Sequence, residues 1–316
     1  MSNVYTSRQL ADTFLATSYV NKELGQNFII DDGVIDSIST LAQLDKKKSK
    51  CKILEIGLGP GALTQKLLQS GHDVIGIEID RIICEHISKI FPKQIESQQL
   101  KLIHGDALNL DWPLEITDII ANIPYQISSP LLEKITQICN TQDHIENCTF
   151  MFQEEFARRI FVETSSNRGP LWVSVSLDWD VSLGSKVSRS SFKPQPKVES
   201  RLVHFKRREL LKSQEIKLYL ESKNLKVPTL RLIRAISSTS FKQRRKKLRN
   251  SLKRQPSKLK SKHGFDVENW EKILEKAFIS MGESFSNQRP EELSLQDWIE
   301  FSAHITHFQK TFQTLT

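Results

Sequence analysis

Short apolar runs alternate with segments of helical period between residues 51 and 205. The runs are rich in Ile, Leu and Val, which is typical of buried strands, while the segments between them repeat apolar residues every three or four positions. The predicted strands are Lys52–Ile56, Asp73–Ile79, Leu100–His104, Asp118–Ala121, Thr149–Phe152, Trp172–Asp178 and Arg201–Phe205. Helices are predicted at Ala62–Gln69 and from Arg81 to about Ile90.

This alternation predicts an α/β domain with a mostly parallel sheet, because parallel neighbours need a crossover connection and that connection is usually a helix. In such sheets ligands bind beyond the carboxyl ends of the strands. Several of the predicted strands end in glycines or in polar residues. Those residues are therefore the candidates for chemistry.

The pattern changes after Phe205. Lys206–Lys217 is predicted to be a charged linker, and the sequence beyond it shows helical patterns without strand patterns. We place the boundary near residue 207, with a first domain over 1–206 and a second, helical domain over 207–316. Three aromatic residues of the second domain are predicted to be core residues: Trp270, Phe285 and Trp298.

Composition and charge narrow the classes of protein. The 316 residues are 38% hydrophobic and 26% charged, as in ordinary water-soluble proteins. No apolar run approaches the roughly 18–20 residues that a membrane-spanning helix needs. The net charge of +8 favours a polyanionic partner. The cysteines Cys51, Cys84, Cys139 and Cys148 show no C-x-x-C pairing and no histidines at metal-ligand spacing, so we expect reduced, mostly buried thiols and no metal.

The N-terminal segment has neither the apolar core nor the small-residue cleavage site of a secretion signal. Residues 1–22 are rich in Ser and Thr and poor in acids, which leaves an organelle transit peptide open. Arg8 is the one arginine in that segment, and transit peptides are usually arginine-rich. We therefore expect a cytoplasmic protein.

Three successive strand ends suit a nucleoside ligand. The glycines of Gly57–Gly61 permit a tight turn and a close approach of the backbone to a ligand. The next strand ends at Glu78, whose carboxylate can accept both hydroxyls of a ribose, and the third ends before Asp106, which can accept from an adenine amine. Each signal alone is weak: the glycines are explained equally well by an ordinary βα turn, and a lone Glu or Asp at a strand end is more often solvated than functional. Their order favours a nucleoside cofactor, and the G-x-G-x-G spacing counts against the rival NAD-binding domain.

The fourth strand ends in Asn122-Ile123-Pro124-Tyr125, the most specific signal in the chain. The side chain of Asn122 and the backbone carbonyl of Pro124 can accept both hydrogens of an exocyclic adenine amine. Such bonds turn the nitrogen lone pair toward a methyl donor and stabilise the positive charge that develops on nitrogen. Tyr125 offers a flat face on which an extruded base can stack. A proline-containing turn with a core tyrosine is the alternative explanation.

With these motifs, the chain resembles the ribosomal RNA adenine dimethylases of the small subunit over most of residues 22–300. The motifs that carry the resemblance are Leu24–Ile29, Asn122–Pro130, Met151–Arg159, Phe192–Ser200 and Phe241–Leu248. The resemblance implies a Rossmann-like class I methyltransferase sheet with a small helical C-terminal domain, and S-adenosyl-L-methionine as the cofactor. Leu58, where proline is common, and Asn167–Leu171 depart from the family pattern.

The resemblance also implies roles for individual residues. The cofactor would contact Asn27, Ile29, Gly57, Glu78, Asp106 and Asn122. The catalytic residues would be Asn122, Pro124, Tyr125 and Phe192, with the target adenine stacked between the two aromatic rings.

The segment Lys242–Arg254 contains eight lysines and arginines and no acid. Leu248 and Leu252 lie four residues apart, which predicts a helix with one apolar stripe and an otherwise cationic surface. A solvated helix face is the ordinary explanation of a charge run. The density here favours a surface that contacts RNA phosphates. The predicted RNA-binding residues are Lys242, Arg244, Arg245, Lys246, Lys247 and Arg249.

The activity that the resemblance implies is dimethylation at N6 of adenosines in the 3′-terminal hairpin of small-subunit rRNA, with a role in ribosome biogenesis. The expected partner is that rRNA within an immature subunit, and a monomer without membrane attachment is expected. Three alternatives stay open: a large-subunit rRNA methylase of the macrolide-resistance type, a DNA adenine methylase, and a non-catalytic factor of the mitochondrial transcription factor type. The match at Phe241–Leu248 counts against the first, and the intact Asn122–Tyr125 motif counts against the last.

Overall fold

The computed structural model describes residues 4–44, 50–139, 144–162, 164–259 and 269–313. The chain divides into two compact units. The first comprises Met1–Ala157 and Val181–Arg207, and the second comprises Arg158–Asp180 and Arg208–Thr316. The sequence predicts one boundary near residue 207, whereas the structure also groups Arg158–Asp180 with the C-terminal helices.

The strands of the described residues are β1 Phe28–Ile29, β2 Lys52–Ile56, β3 Asp73–Glu78, β4 Leu100–His104, β5 Asp118–Asn122, β6 Asn147–Gln153, β7 Trp179–Val187, β8 Phe192–Lys193 and β9 Ser200–Arg207. Seven of them form one sheet in the order β4-β3-β2-β5-β6-β9-β7, and β1 pairs with β8 separately. Strands β4, β3, β2, β5 and β6 are mutually parallel, while β9 runs antiparallel to β6. The chain order reverses between β2 and β5, and such a reversal is where open α/β sheets bind ligands.

The helices up to the middle of the chain are α1 Ser7–Leu15, α2 Asp32–Leu41, α3 Ala62–Gln69, α4 Arg81–Ile90, α5 Pro92–Glu96, α6 Ser128–Cys139 and α7 Glu154–Ile160. Those that follow are α8 Pro170–Ser176, α9 Gln214–Ser222, α10 Leu230–Phe241, α11 Leu248–Ser251, α12 Trp270–Met281 and α13 Leu295–Gln313. The predicted helices Ala62–Gln69 and Arg81–Ile90 and six of the seven predicted strands are confirmed to within two residues at each end.

The predicted strand Trp172–Asp178 is wrong, because this segment forms helix α8. Pro170 lies in the first turn, where its missing N–H costs no helical hydrogen bond. Val173 and Leu177 lie four residues apart and are fully buried, which is a helical spacing. The alternation of apolar and polar residues in this segment imitates a strand, and the true strand β7 begins only at Trp179.

The predicted helix over Lys242–Arg254 is also wrong. The chain turns through Lys242–Lys247 after α10 ends, and α11 is a single helical turn. Like charges four residues apart repel on a helix surface, so a continuous helix here gains little from its side chains. Leu248 and Leu252 are fully buried, and they fix the basic segment to the core of the second unit.

The predicted linker Lys206–Lys217 is folded rather than extended. Leu210 and Leu211 are buried in a short 3-10 turn. Helix α9 follows at once, and the Ser213 hydroxyl caps it by accepting a hydrogen bond from the N–H of Ile216 at 3.3 Å. The prediction of a linker rested on the charged residues of this segment and overlooked Leu210 and Leu211, which anchor it by their burial.

The N-terminal segment, for which the sequence predicted no role, forms helix α1. A capping box between Thr6 and Gln9 starts the helix. Leu10 and Phe14 on its inner face are buried, and the Phe14 ring packs edge-on against Phe28 with the ring centroids 5.4 Å apart. Helix α1 therefore supports strand β1.

The core of the second unit contains the three aromatic residues that the sequence predicted for it. Trp270, Phe285 and Trp298 are buried, which confirms that prediction. The side chains of Cys51, Cys84 and Cys148 are buried and are not joined in disulfides, while the side chain of Cys139 lies outside the described residues. Within the part of the chain that the structure describes, no helix is long and apolar enough to cross a bilayer.

Strand β2 carries an acid at the centre of the first unit. Glu55 is fully buried, and one of its carboxyl oxygens accepts a hydrogen bond from the Thr64 hydroxyl at 2.7 Å. Burial raises the pKa of Glu55 from its ordinary value of 4.5 to about 8, with the charge of Glu78 adding to the rise and the Thr64 bond opposing it. Glu55 therefore holds its proton at neutral pH.

Replacing Leu252 by alanine should lower the free energy of unfolding by about 2–4 kcal/mol, because it leaves a cavity in the second unit. Urea unfolding followed by circular dichroism measures the change. The matched control is Leu218→Ala on α9, where the leucine is 55% exposed. We expect the control to change stability by less than about 0.5 kcal/mol. Equal losses in the two variants would contradict the described packing.

The buried proton of Glu55 should make stability fall with rising pH. The folded state keeps this proton up to a pH of about 8, whereas the unfolded chain releases it near 4.5, so the contribution is lost as pH rises through that interval. Glu55→Gln should thus gain stability relative to the parent protein between pH 5 and about 8. Urea unfolding across this range measures the difference, with Glu133→Gln on the exposed side of α6 as the control. A difference independent of pH would refute the assignment.

Candidate cofactor and catalytic site

A cavity of about 240 Å³ lies at the carboxyl ends of the parallel strands. Its lining comes from residues 23–29, 55–60, 62–63, 77–79, 105–108 and 122–127, together with Ile83. These segments enter β1 or follow β2, β3, β4 and β5. The structure thus brings the strand-end residues that the sequence singled out into one cavity.

The turn after β2 presents backbone to the cavity. Gly57 and Gly59 have φ values of +74° and +52°, in the left-handed region that favours glycine. A Cβ added at Gly59 would lie 3.3 Å from the ring of Phe28. Helix α3 begins directly after this turn, so its first N–H groups lie beside the same space.

Glu78 ends β3 as a buried carboxylate with two backbone donors. It accepts from the N–H of Asp80 at 2.9 Å and from the N–H of Gly59 at 3.4 Å. Burial raises the pKa of Glu78, and these two hydrogen bonds oppose the rise. The side chain therefore links the glycine turn to the next strand and lines the cavity as an acceptor.

Asp106 sits in the loop after β4. Its carboxylate accepts from the N–H of Leu108 at 2.8 Å and from the side-chain amide of Asn109 at 2.6 Å. Asp106, Ala107 and Leu108 all line the cavity. The loop is therefore folded around the acid that faces the ligand space.

Asn122 ends β5 and is held by the segment that enters β1. Its side-chain nitrogen donates to the backbone carbonyl of Asn27 at 3.1 Å. A carbonyl can only accept, so this bond directs the NH2 group toward Asn27 and leaves Oδ1 as the accepting atom of the Asn122 side chain. The side chain of Asn27 donates in turn to the carbonyl of Gly25 at 2.9 Å.

The turn after β5 continues through Pro124 and Tyr125. The Pro124 carbonyl accepts from the N–H of Ile127 at 3.1 Å, and a carbonyl oxygen has a second lone pair for a ligand. The Tyr125 hydroxyl lies 2.6 Å from the Ser200 hydroxyl. Burial raises the pKa of Tyr125, which keeps the phenol neutral. The sequence did not identify Ser200 as a partner, because 75 residues separate the two.

Phe192 does not lie where the sequence places it. Its side chain is 2% exposed and belongs to the hydrophobic core of the first unit. The residue pairs with Ile29 across β1 and β8, and it is absent from the lining of the cavity. A ring that stacks on a base must present a free face, and in this structure the Phe192 ring presents none to the cavity, so its role as the second stacking residue stays a prediction.

Gln26 and Glu55 line the cavity although the sequence predicted no role for them. Gln26 donates to the Asp80 carboxylate at 2.7 Å and accepts from the N–H of Asn21 at 2.8 Å, which fastens residues 21–27 beside the β3 end. Glu55 also reaches the lining although it is fully buried. The one sign of a special role for Glu55 in the sequence was its charge among the apolar residues of β2.

The six predicted RNA-binding residues are all exposed: Lys242, Arg244, Arg245, Lys246, Lys247 and Arg249. Arg244 lies 3.5 Å from Glu291, and the Lys247 ammonium donates to Asn287 at 3.3 Å. The basic turn of the second unit therefore presents a cationic surface even though it is not a helix.

The residues of the cavity fit the cofactor that the resemblance implies. A glycine turn without Cβ atoms leaves room for a ligand against the backbone, and the buried carboxylate of Glu78 suits a pair of ribose hydroxyls. Asp106 adds an acceptor for an adenine amine. Asn27 and Asn122, which are hydrogen-bonded to each other, also line the cavity.

Known proteins resemble this chain over most of its length. The ribosomal RNA adenine dimethylase family matches residues 17–264. The ribosomal RNA small subunit methyltransferase A of Clostridium botulinum (strain Kyoto / Type A2) is 32% identical over 289 residues, covering 89% of this chain and 92% of that protein. The protein of the same name from Lactobacillus delbrueckii subsp. bulgaricus is 29% identical over 306 residues, covering 92% and 93%.

Solved structures show the same fold. A dimethyladenosine transferase from Plasmodium falciparum superposes with a TM-score of 0.68 and 26% identity, covering 90% of this chain and 98% of that one. The 23S rRNA methyltransferase ErmE gives a TM-score of 0.56 at 23% identity, covering 89% and 100%, which shows the fold alone. The first unit thus has the α/β fold of class I methyltransferases, and the chain belongs to the ribosomal RNA adenine dimethylase family of S-adenosylmethionine-dependent enzymes.

Proposed function

We propose that this enzyme dimethylates N6 of adenosines in the 3′-terminal hairpin of small-subunit rRNA, within an immature ribosomal subunit. It would act as a monomer in the cytoplasm and contribute to small-subunit biogenesis. The observation that carries the proposal is that the acceptors Asn122 and Pro124 line the same cavity as the carboxylates Glu78 and Asp106. Similarity to small-subunit methyltransferases over nine-tenths of the chain supports the choice of rRNA.

The cofactor is assigned to the cavity between the glycine turn and the β5 end. Contacts would come from Asn27, Ile29, Gly57, Glu78, Asp106 and Asn122. When bound, S-adenosylmethionine supplies a methyl group on a positively charged sulfur atom. The protein's part is to hold the adenosine end through Glu78 and Asp106 and to exclude water with the apolar side chains of the lining.

Asn122 and Pro124 hold the target amine. The Oδ1 atom of Asn122 and the Pro124 carbonyl each accept one amine hydrogen, which turns the nitrogen lone pair away from the base ring. Both acceptors are fixed before the substrate arrives, because Asn27 orients the amide and the turn at Ile127 orients the carbonyl. No base has to remove a proton before transfer, since the lone pair is the attacking group. Tyr125 stacks on the extruded adenine.

The exposed basic turn of the second unit binds phosphates of the rRNA. Such contacts fix the position of the RNA without reading its sequence, so the selection of the adenine falls to the cavity. This proposal accounts for the arrangement of the basic turn, in which the lysines and arginines are exposed while the neighbouring Leu248 and Leu252 are buried.

Asn122→Ala should lower methyl transfer by about a hundredfold to a thousandfold, because one of the two acceptors for the developing charge is lost. The assay uses labelled S-adenosylmethionine with unmethylated small subunits, and mass spectrometry maps the modified nucleosides. Because Asn122 is also assigned to the cofactor, calorimetric titration with S-adenosylhomocysteine measures the loss of cofactor affinity separately, and rates are compared at saturating S-adenosylmethionine. Dimethyladenosine in the 3′-terminal hairpin is the expected product.

Three results would count against parts of the proposal. Methyl transfer that survives in Asn122→Ala would remove the catalytic assignment. Naked rRNA methylated as fast as immature subunits would remove the subunit as the substrate. RNA or cofactor binding without any transfer by the parent protein would favour the non-catalytic factor.

Lys246→Ala should weaken RNA binding by a similar factor for every sequence, because a phosphate contact is lost. The slope of log K against log salt should fall by about one unit, as one fewer phosphate is neutralised. Filter binding of rRNA fragments at several salt concentrations measures both effects. The control is Lys101→Ala, an exposed lysine on β4 with the same change in charge. An unchanged slope in Lys246→Ala would place the RNA elsewhere.

A further inference from the structure

The loop after β4 is closed by hydrogen bonds to its own carbonyl groups. The backbone carbonyl of Asp106 accepts from the N–H groups of Asn109 and Leu110, both at 3.0 Å. The indole N–H of Trp112 donates to the carbonyl of Ala107 at 2.9 Å. These bonds account for the carbonyls of residues 106 and 107, and the carbonyls of Leu108 and Leu110 need another donor.

Lys134 is that donor. Its ammonium group donates to the Leu108 carbonyl at 3.1 Å and to the Leu110 carbonyl. It also lies over the Trp112 ring, 5.2 Å from the centroid, in a cation–π contact. Burial lowers the pKa of Lys134, while the nearby charges of Asp111 and Asp106 oppose that shift. Lys134 on α6 thus supplies the hydrogen-bond donor for both carbonyls at the outer edge of the loop.

Helix α6 is itself joined to the catalytic turn. It begins at Ser128, directly after the turn that contains Tyr125, and the Ser128 hydroxyl donates to the Tyr125 carbonyl at 2.9 Å. Leu131 and Ile135 lie four residues apart on one face of the helix and are fully buried, which anchors the helix. Lys134 therefore extends from an element that is rigid relative to the catalytic turn.

We propose that Lys134 is a positioning residue that holds the Asp106 loop in its cofactor-binding shape and ties that loop to the helix behind the catalytic turn. It does not reach the cavity, since its contacts are with the outer carbonyls of the loop and with Trp112. The inference rests on the proposed function only where that assigns the adenosine end of the cofactor to Asp106.

Lys134→Met keeps the apolar stem and removes the donor. We expect it to raise the Kd for S-adenosylhomocysteine about tenfold, because charge-assisted bonds that shape the loop are lost. Hydrogen exchange of the backbone amides of residues 105–112 should quicken in the ligand-free protein. Turnover on small subunits should show a raised KM for S-adenosylmethionine and a kcat within about twofold of the parent value. The reason is that the variant loses binding energy equally in the ground state and in the transition state. Isothermal titration calorimetry, exchange followed by mass spectrometry and initial rates give the three readouts.

Matched variants separate positioning from a general effect. Lys101→Met on β4 makes the same change in charge at an exposed site and should leave all three readouts unchanged. Lys134→Arg keeps a cationic donor and should restore most of the affinity. Should Lys134→Met not fold, Lys134→Gln keeps a polar side chain at this position and carries the same expected loss of affinity.

Unchanged affinity and exchange in Lys134→Met, or an equal change in Lys101→Met, would overturn the inference. A fall in kcat with an unchanged KM would do so as well, since that pattern belongs to a defect in the reacting centre. Binding of S-adenosylhomocysteine and exchange use no RNA, so failure of the proposed rRNA substrate would leave these two readouts intact. The two failures are therefore distinguishable.

Discussion

Parallel pairing between β2 and β5 sets Ile53 opposite Asp118 and Glu55 opposite Ile120. This register places the glycine turn after β2 next to the residues that end β5, although more than sixty positions separate them in the sequence. The connection that follows β2 leads to β3 on one side, and the connection that follows β5 leads to β6 on the other. The two connections therefore diverge at the carboxyl ends of β2 and β5, and the cavity lies there. The placement of Asn122 and Pro124 beside the glycine turn depends on that alignment, since a slip by one residue would turn the strand over.

The polar groups of the site are fixed by partners that come from elsewhere in the chain. Asn122 is held by Asn27, and Tyr125 is held by Ser200. Preformed acceptors of this kind do not have to be reorganised at the moment of reaction, which is how a protein site outperforms water as a solvent for developing charge. Buried polar groups that lacked these partners would each cost stability, so the same bonds serve the fold and the chemistry.

The sequence predicted those features that depend on neighbours along the chain. Strand and helix periods located the sheet, and the residues at strand ends located the cavity. Features set by distant packing were missed or wrong. Trp172–Asp178 alternates like a strand yet packs as a helix, and Phe192 belongs to a motif yet its ring enters the core. Lys134 is an ordinary helix lysine in the sequence, and only the fold shows that two carbonyls of a loop 24 and 26 residues earlier accept from it.

The interleaving of the two units has a consequence for synthesis on the ribosome. The first unit lacks its strand β9 until Arg207 has been made, because that strand pairs beside β6. Before then, Arg158–Asp180 has already emerged, and its buried residues Val173 and Leu177 belong to a core whose other members are translated later. A nascent chain of this protein therefore carries an uncovered apolar helix for as long as it takes to make the remaining helices, and that interval is when chaperones have a surface to bind.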